Sequence, residues 1–297
     1  MTDRLAAIDI GSNSCRLLIA DLQGGRIKPV FTALRTSRIG EGLTGKGILG
    51  KGPIERTINV LQEYHKLIKQ FNVDRYRVVA TSAVREAANA AFFLDQACRS
   101  TGMDIEIISG SEEARLNYLG VCHSVFPQGT GLIIDIGGGS TEFTYLPQKG
   151  SLDELRCHSI PLGAVRLTEQ PRLLSELLLP MKDVLDEIKL LPAPFFIGVG
   201  GTITTIAAVC QELELYDPQL VHGYTLSKDD VERIMFFLAA KNNEERKKVP
   251  GLQPERADII VAGVTILWAI MGYLEARTLV VSEADLLYGI VLEMASF

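Results

Sequence analysis

The chain has 297 residues, which is enough for two domains of ordinary size, and it carries a net charge of −6 at pH 7. That charge disfavours a general nucleic-acid binder, and a composition with 47% hydrophobic and 22% charged residues argues against extensive disorder. The five cysteines form no C-x-x-C pair, which argues against a disulfide framework and against a zinc site and is typical of a reducing cytoplasm.

Short β-rich runs alternate with helical patterns along the chain, which indicates an α/β protein. The predicted strands cover residues 5–10, 15–20, 77–80, 105–108, 131–136, 142–146, 195–199 and 279–282. The predicted helices cover residues 53–71, 87–101, 111–125, 175–190, 202–213, 228–240 and 254–274, with a last helix from about residue 283. The break at Pro127-Gln-Gly129 divides the chain into predicted domains 1–127 and 128–297. The prediction includes the option that the last helix packs on the first domain.

Membrane attachment is not expected. The N-terminus lacks a basic region followed by a long apolar core, so it does not resemble a signal peptide. The uncharged run 259–274 has 16 residues, whereas a membrane-spanning helix needs roughly 20 apolar residues. We therefore interpret this run as a buried helix and expect a cytoplasmic protein.

Two of the predicted strands end in the same order of residue types. Asp9-Ile-Gly-Ser-Asn-Ser14 follows the first strand, and Asp135-Ile-Gly-Gly-Gly-Ser-Thr-Glu142 begins at the end of strand 131–136. Glycine lets the backbone approach an anion, so that successive N–H groups can surround phosphate oxygens. An Asp at a strand end can hold hydrated Mg²⁺, which prefers carboxylates, water and substrate phosphate. The repetition predicts a duplicated unit with two phosphate loops facing one cleft.

Ser109-Gly-Ser-Glu-Glu-Ala-Arg115 predicts the start of a helix with two acidic residues in its first turn. Ser109 and Glu112 fit a capping box, so Glu112 is explained by helix capping. Glu113 is not needed for that purpose and points about 100° away from Glu112. The phosphate loops elsewhere in the chain make Glu113 a candidate general base.

Three further segments have both a structural and a functional interpretation. Arg85 follows a predicted strand and has the donor fork that suits phosphate, although this segment alone favours a surface ion pair. Gly198-Val-Gly-Gly201 precedes a helix and can serve as an anion or nucleotide site or simply allow close packing. Gly40–Gly47 contains the G-x₄-G-K core of a P-loop but ends in glycine where Ser or Thr should hold Mg²⁺, so we reject a Walker site.

Eight motifs resemble, in order, those of the Ppx/GppA phosphatase family, which comprises exopolyphosphatases and guanosine pentaphosphate phosphohydrolases. They are DIGSNSCRLLI, ATSAVREA, ISGSEEARLNYLGV, DIGGGSTEF, PLGAVRLTE, GVGGTITTIAA, VHGYTLS and ERADIIVAG. The resemblance covers essentially the whole chain. It implies an α/β fold of two actin-like (ribonuclease H-like) domains flanking a central cleft, as in the wider superfamily of actin, Hsp70 and sugar kinases.

The resemblance also implies roles for individual residues. Glu113 matches the base that activates the attacking water, and the metal-associated carboxylates match Asp9, Asp135 and Glu142. The phosphate-contacting positions match Asn13, Ser14, Arg85, Gly138, Gly139, Ser140 and Thr141. The nucleotide-binding positions match Arg16, Arg256, Gly200 and Gly201, with the two arginines placed to approach guanosine. Ser282–Gly289 departs from the family pattern S-E-x-G-x-R-x-G, because Asp285 replaces a glycine and the arginine is absent.

The function expected from these matches is Mg²⁺-dependent hydrolysis of terminal phosphoanhydride bonds. The substrate would be inorganic polyphosphate, pppGpp (converted to ppGpp in the stringent response), or both, with a slight preference for exopolyphosphatase. The alternatives are a sugar or acetate-type kinase on the same superfamily fold and a non-catalytic scaffold that binds (p)ppGpp. A homodimer is expected, and neither nucleic acid nor a membrane is an expected partner.

Overall fold

The computed structural model describes residues 3–24, 26–125, 131–147, 154–192 and 194–295. The chain divides into two compact units, of which unit 1 comprises Met1–Gly120 with Asp285–Phe297 and unit 2 comprises Val121–Ala284. The domain boundary predicted between residues 127 and 128 lies outside the described residues. Each unit has its own sheet and its own core, and the predicted α/β class is confirmed.

Unit 1 is built on a five-stranded sheet in the order β3-β2-β1-β4-β5. The strands are β1 (Asp3–Ile10), β2 (Cys15–Gln23), β3 (Arg26–Arg35), β4 (Arg75–Ala80) and β5 (Glu106–Ile107). Its α-helices are α1 (Leu43–Lys46), α2 (Lys51–Gln70), α3 (Ser82–Glu86), α4 (Ala90–Thr101), the helix α5 (Gly110–Ser124), which continues into unit 2, and the last helix, α14 (Leu286–Ala295).

The sheet of unit 1 is covered on both faces. Successive side chains of β1 point to opposite faces and so belong to different cores. Ala6, Ile8 and Ile10 belong to the core beneath α2 and α4, whereas Leu5 and Ala7 belong to the core beneath α14. A strand buried on both faces reads as a continuous apolar run, which is why β1 was predictable. Because Asp9 follows the alternation of Leu5 and Ala7, its side chain lies on the α14 face.

Unit 2 is built on a six-stranded sheet in the order β10-β11-β9-β6-β7-β8, with one apolar core. The strands are β6 (Gly131–Ile136), β7 (Thr141–Tyr145), β8 (Arg156–Ile160), β9 (Phe195–Val199), β10 (Thr225–Ser227) and β11 (Thr278–Val281). Its α-helices are α6 (Ala164–Glu169), α7 (Leu174–Leu177), α8 (Lys182–Lys189), α9 (Gly200–Cys210), α10 (Pro218–Val221), α11 (Lys228–Ala239), α12 (Asn243–Arg246) and α13 (Ile260–Tyr273). Short 3₁₀ turns cover Leu179–Met181 and Pro254–Arg256.

Two predicted helices are interrupted in the structure. The prediction of one helix over 175–190 is wrong, because Pro180 has no N–H to continue an α-helix and a 3₁₀ turn separates α7 from α8. The prediction of one helix over 254–274 begins too early. The bonds from Ala257 N to Pro254 O and from Ile259 N to Arg256 O have i→i+3 spacing, so this stretch is a tight turn before α13. Within the described residues, no helix has both the length and the apolar character needed to cross a membrane.

Candidate active site

The predicted base Glu113 is buried in the first turn of α5. It is 8% exposed, and its backbone N–H donates to the Ser109 carbonyl at 2.9 Å. The Glu112 N–H donates to the capping hydroxyl of Ser109 at 3.1 Å, and the Glu112 side chain pairs with Arg115. That pairing lowers the pKa of Glu112. Of the predicted capping box only the Ser109 half is present, because the Glu112 carboxylate accepts from Arg115 instead.

Arg85 contacts Glu113 directly. Its Nη1 donates to Glu113 Oε2 at 3.1 Å and to the Ile108 carbonyl at 2.9 Å. Within the described part of the chain, no other nitrogen of this guanidinium makes a hydrogen bond to protein. The structure thus brings together two candidate residues that the sequence separates by 28 positions. Arg85 fixes the carboxylate of Glu113 and keeps donors that suit a phosphate.

The first predicted phosphate loop, Gly11–Ser14, is a closed turn between β1 and β2. The Gly11 N–H donates to the Ser14 carbonyl at 3.0 Å, and the Asn13 amide nitrogen donates to Ser14 Oγ at 3.1 Å. Asn13 is only 6% exposed, and its Oδ1 has no hydrogen-bond partner among the described residues. A buried amide oxygen without a partner is unfavourable unless a ligand, ion or water satisfies it.

Asp9 lies at the end of β1, opposite Arg16 in the register of β1 and β2. Arg16 donates to Asp9 Oδ2 from Nη2 at 2.7 Å and from Nε at 3.0 Å, and its Nη1 donates to Asp285. Asp9 Oδ1 is buried and has no partner within the described residues. Burial raises the pKa of Asp9, against the opposing effect of Arg16. Arg16, predicted to approach a nucleotide, is thus held between two carboxylates.

The second predicted phosphate loop, Gly137–Thr141, is fixed through its carbonyl groups. The Gly138 carbonyl accepts from the N–H of Val165 at 2.8 Å, and the Gly139 carbonyl accepts from Arg166 Nε at 2.9 Å. In a trans peptide, the N–H of the following residue points the opposite way from the carbonyl. The N–H groups of Gly139 and Ser140 are therefore directed away from α6, in an arrangement that suits an anion.

The remaining residues of this loop are more enclosed. Thr141 is fully buried, and its hydroxyl donates to the Leu162 carbonyl at 2.6 Å. Asp135 and Glu142 are opposite each other in the register of β6 and β7, so both carboxylates lie on the same face of the sheet. Glu142 is buried and accepts a hydrogen bond from Ser159 Oγ at 2.8 Å.

The two glycines predicted to bind a nucleotide lie at the start of α9, against charged side chains of unit 2. Gly200 has φ +82°, and a Cβ there would clash with the Asp135 carboxylate. A Cβ on Gly201 would clash with the guanidinium of Arg256, which is buried and donates from Nε to Gln253 Oε1 at 3.0 Å. The space that a Cβ would need is therefore occupied by Asp135 beside Gly200 and by Arg256 beside Gly201. The sequence did not reveal this structural reason for the two glycines.

The donors around Asp9 fit a hydrated divalent cation. Asp9 Oδ1 and Asn13 Oδ1 are hard oxygen acceptors that are buried and without hydrogen-bond partners among the described residues. No group of three or more His, Cys, Asp or Glu side chains in the described parts of the chain is arranged as a metal site. Mg²⁺ does not require such a cage, because it commonly keeps several waters and binds through one or two carboxylates and a substrate phosphate.

Asp285 contacts this site, although the sequence assigned it no role. Its departure from the family pattern was the signal, but the pattern could not show that its carboxylate contacts Arg16. That contact depends on α14 returning to the sheet of unit 1.

Comparisons with known proteins identify the family of the chain. The chain is 34% identical to the bifunctional 3-dehydroquinate synthase/phosphatase of Fusobacterium nucleatum over 97% of its own length, but it spans only 46% of that protein. It is 32% identical to exopolyphosphatase 2 of Mycobacterium tuberculosis, over 98% of both chains. The crystal structure of the Ppx/GppA family member of Aquifex aeolicus is 35% identical, with a TM-score of 0.79 over 100% of this chain and 98% of that one. Residues 18–296 match the Ppx/GppA phosphatase family, and the protein therefore belongs to that family.

Proposed function

We propose that this protein hydrolyses terminal phosphoanhydride bonds and releases orthophosphate. Inorganic polyphosphate is the preferred substrate in this proposal, and conversion of pppGpp to ppGpp is a second activity. The observation that carries the proposal is the buried Glu113 held by Arg85 at 3.1 Å. The similarity of the chain to a mycobacterial exopolyphosphatase over 98% of both chains supports the choice of substrate class.

Glu113 acts as the general base in this mechanism. One carboxylate oxygen is fixed by Arg85, which limits rotation of the side chain and orients it for proton abstraction from water. The proton of the attacking water passes to Glu113, the water oxygen forms a bond to the terminal phosphorus, and the bridging phosphoanhydride bond breaks. Little covalent chemistry is asked of the protein, so positioning and charge stabilisation supply most of the rate gain.

The charge on the terminal phosphoryl group is offset by several groups of the chain. Arg85 supplies a guanidinium, and the backbone N–H groups of Gly139 and Ser140 supply neutral donors. In unit 1, Asp9 is proposed to hold Mg²⁺ with Asn13 Oδ1 as an additional oxygen ligand, and in unit 2 the predicted metal-associated carboxylates are Asp135 and Glu142. When bound, the cation would neutralise negative charge on the phosphate oxygens.

The test is phosphate release from long-chain polyphosphate and from pppGpp, measured side by side with Mg²⁺. Replacing the base in Glu113→Gln should lower kcat by about 10²- to 10⁴-fold on the active substrate. Glu112→Gln is the matched control, because it changes the adjacent glutamate of the same helical turn and should leave kcat within a few-fold of the native value. Full turnover by Glu113→Gln would refute the assignment, and phosphate transfer only from ATP to an acceptor would identify a kinase instead.

A further inference from the structure

Asp285 forms a carboxylate–guanidinium–carboxylate triad with Arg16 and Asp9. Arg16 binds Asp9 Oδ2 through Nη2 and Nε, and its Nη1 donates to Asp285 Oδ2. Asp9 and Asp285 are each 5% exposed, so both carboxylates are largely removed from water. Charges in such surroundings interact more strongly than charges on the surface. With two carboxylates around one guanidinium, the triad has an excess of one negative charge.

The backbone of Asp285 is fixed as firmly as its side chain. Its Oδ1 accepts from the Leu287 N–H at 3.1 Å, and its carbonyl accepts from the Gly289 N–H at 3.0 Å in the first turn of α14. The same carbonyl packs on Gly120 so closely that a Cβ there would clash with it. This carboxylate is therefore built into the junction between α5 and α14.

The charge balance explains what Asp285 does. If Arg16 and Asp9 formed an isolated pair, the guanidinium would cancel the carboxylate, and the pair would attract a cation only weakly. Asp285 pairs with the other side of the same guanidinium, so that the three side chains together carry one excess negative charge. Asp9 Oδ1, buried and without a partner among the described residues, is then the atom at which that charge is available.

We propose that Asp285 is a positioning residue which neutralises and orients Arg16, so that Asp9 Oδ1 can bind the divalent cation used in hydrolysis. The role of that cation in catalysis rests on the proposed function, whereas the effect of Asp285 on cation binding does not. Asp285 itself touches neither substrate nor water in this assignment and acts only through Arg16.

Cation binding is measured directly by titrating the protein with Mn²⁺ and following free Mn²⁺ by electron paramagnetic resonance, with Mg²⁺ as competitor. Asp285→Asn keeps the shape of the side chain but removes its charge, and should weaken Mn²⁺ binding at least about fivefold. The control is Asp21→Asn, which removes a carboxylate that pairs with Arg4 at 2.8 Å in the same sheet and should change binding less than about twofold.

Two further variants separate charge from structure. Arg16→Gln in the native background should tighten Mn²⁺ binding, because it leaves both carboxylates without the cation that offsets them. The double variant Arg16→Gln/Asp285→Asn has the same charge balance as the native triad and should recover most of the affinity lost in Asp285→Asn. If the role of Asp285 were merely structural, the double variant would bind more weakly than either single variant, and that result would overturn the proposal. Unchanged Mn²⁺ affinity in Asp285→Asn would overturn it as well.

Phosphate release is assayed on the same preparations, so that the two proposals can fail separately. Weaker Mn²⁺ binding by Asp285→Asn, together with a native protein that releases no phosphate, supports the triad and refutes the hydrolase. Phosphate release by the native protein with identical Mn²⁺ binding in Asp285→Asn supports the hydrolase and refutes the triad. If Asp285→Asn shows no cooperative thermal transition, the test rests on Arg16→Gln alone. Weaker Mn²⁺ binding by Arg16→Gln than by the native protein would then refute the proposed role of the triad.

Discussion

Arg85 Nη1 lies 3.1 Å from Glu113 Oε2 and donates to it, while the same nitrogen donates to the Ile108 carbonyl at 2.9 Å. The arginine thereby joins α3, the start of α5 and the segment between β5 and α5. Sequence analysis treated Arg85 as a phosphate ligand and Glu113 as a base, without linking them. Under the proposed function, we expect a change at Arg85 to alter both the binding of phosphate and the orientation of Glu113.

Arg85→Gln and Glu113→Gln should therefore have non-additive effects on phosphate release. We expect each single variant to lower kcat/KM by about 10²-fold or more, and the double variant to be little worse than Glu113→Gln alone, because residues that act as a unit lose their function together. The measurement is a double-mutant cycle on kcat/KM. Arg35→Gln is the control, since Arg35 pairs with the exposed Glu63 at 2.6 Å and should leave kcat/KM unchanged. Losses that simply add would show that the Arg85–Glu113 contact has no catalytic consequence.

Gly163→Ala should displace the second phosphate loop. A Cβ at this position would lie 2.6 Å from the Gly138 carbonyl carbon and 2.6 Å from Ser140 N, and neither backbone atom can move without the loop moving. A shift of about 1 Å at a binding site can cost on the order of 10²-fold in rate, so we expect a loss of that size in kcat/KM. Gly45→Ala is the control, because nothing lies within 4 Å of the added Cβ. A Gly163→Ala variant with native kcat/KM would show that the loop does not hold the substrate.

Ser227→Ala should destabilise unit 2 through the capping box of α11. Ser227 Oγ accepts from the Asp230 N–H at 3.0 Å, and the Asp230 carboxylate accepts from both the Ser227 hydroxyl and its backbone N–H. Loss of such a cap costs about 1 kcal/mol of the free energy of unfolding. Urea denaturation at pH 7 measures it, and the exposed helical Ser175→Ala serves as the control.

The same cap predicts a pH dependence. The hydrogen bond from Ser227 lowers the pKa of Asp230 in the folded state. A carboxyl group with a depressed folded pKa contributes stability above its unfolded pKa, and that contribution is lost as the pH falls through the folded value. The difference in unfolding free energy between the native protein and Ser227→Ala should thus be largest near neutral pH and shrink below the normal titration range of aspartate. A difference that grew on acidification would contradict this assignment.

The cysteines should differ sharply in reactivity toward a thiol reagent. Cys98 is exposed in α4, whereas Cys15 is fully buried in β2, where burial raises the pKa of its thiol to about 12. Only the thiolate reacts, so Cys98 should be modified in the folded protein and Cys15 only after denaturation. Mass spectrometry after brief labelling measures this, and the variant Cys98→Ser should lose the labelled peptide at that position. Labelling of Cys15 in the native protein would show that β2 opens locally.

The central strands of both sheets were predictable from sequence, whereas among the edge strands in the described part of the chain only β5 was predicted. β1, β6 and β9 are apolar runs because they are buried between neighbouring strands, and burial leaves a strong sequence signal. The missed strands, β3, β8 and β10, are all at sheet edges. An edge strand can be polar and can even contain proline, as Pro29 does in β3, so its residues do not show the pattern of a buried strand.

The features of the candidate site can likewise be separated into those that were predictable from the sequence and those that were not. The order of glycines, hydroxyls and carboxylates after β1 and β6 indicated phosphate chemistry, and the capping pattern favoured Glu113 over Glu112 as a base, which stays a prediction. The family comparison then confirmed a Ppx/GppA phosphatase. These features are local, because each depends on a strand end or a helical turn formed by consecutive residues.

Only the tertiary structure could determine which of these groups act on one another. The contacts of Arg85 with Glu113 and of Arg16 with Asp285 join residues that are 28 and 269 positions apart in the chain. The role of Gly201 depends likewise on the approach of Arg256. Sequence determines the chemical groups and the local turns that carry them, whereas charge balance and orientation depend on which side chains the folded chain brings within a few ångströms.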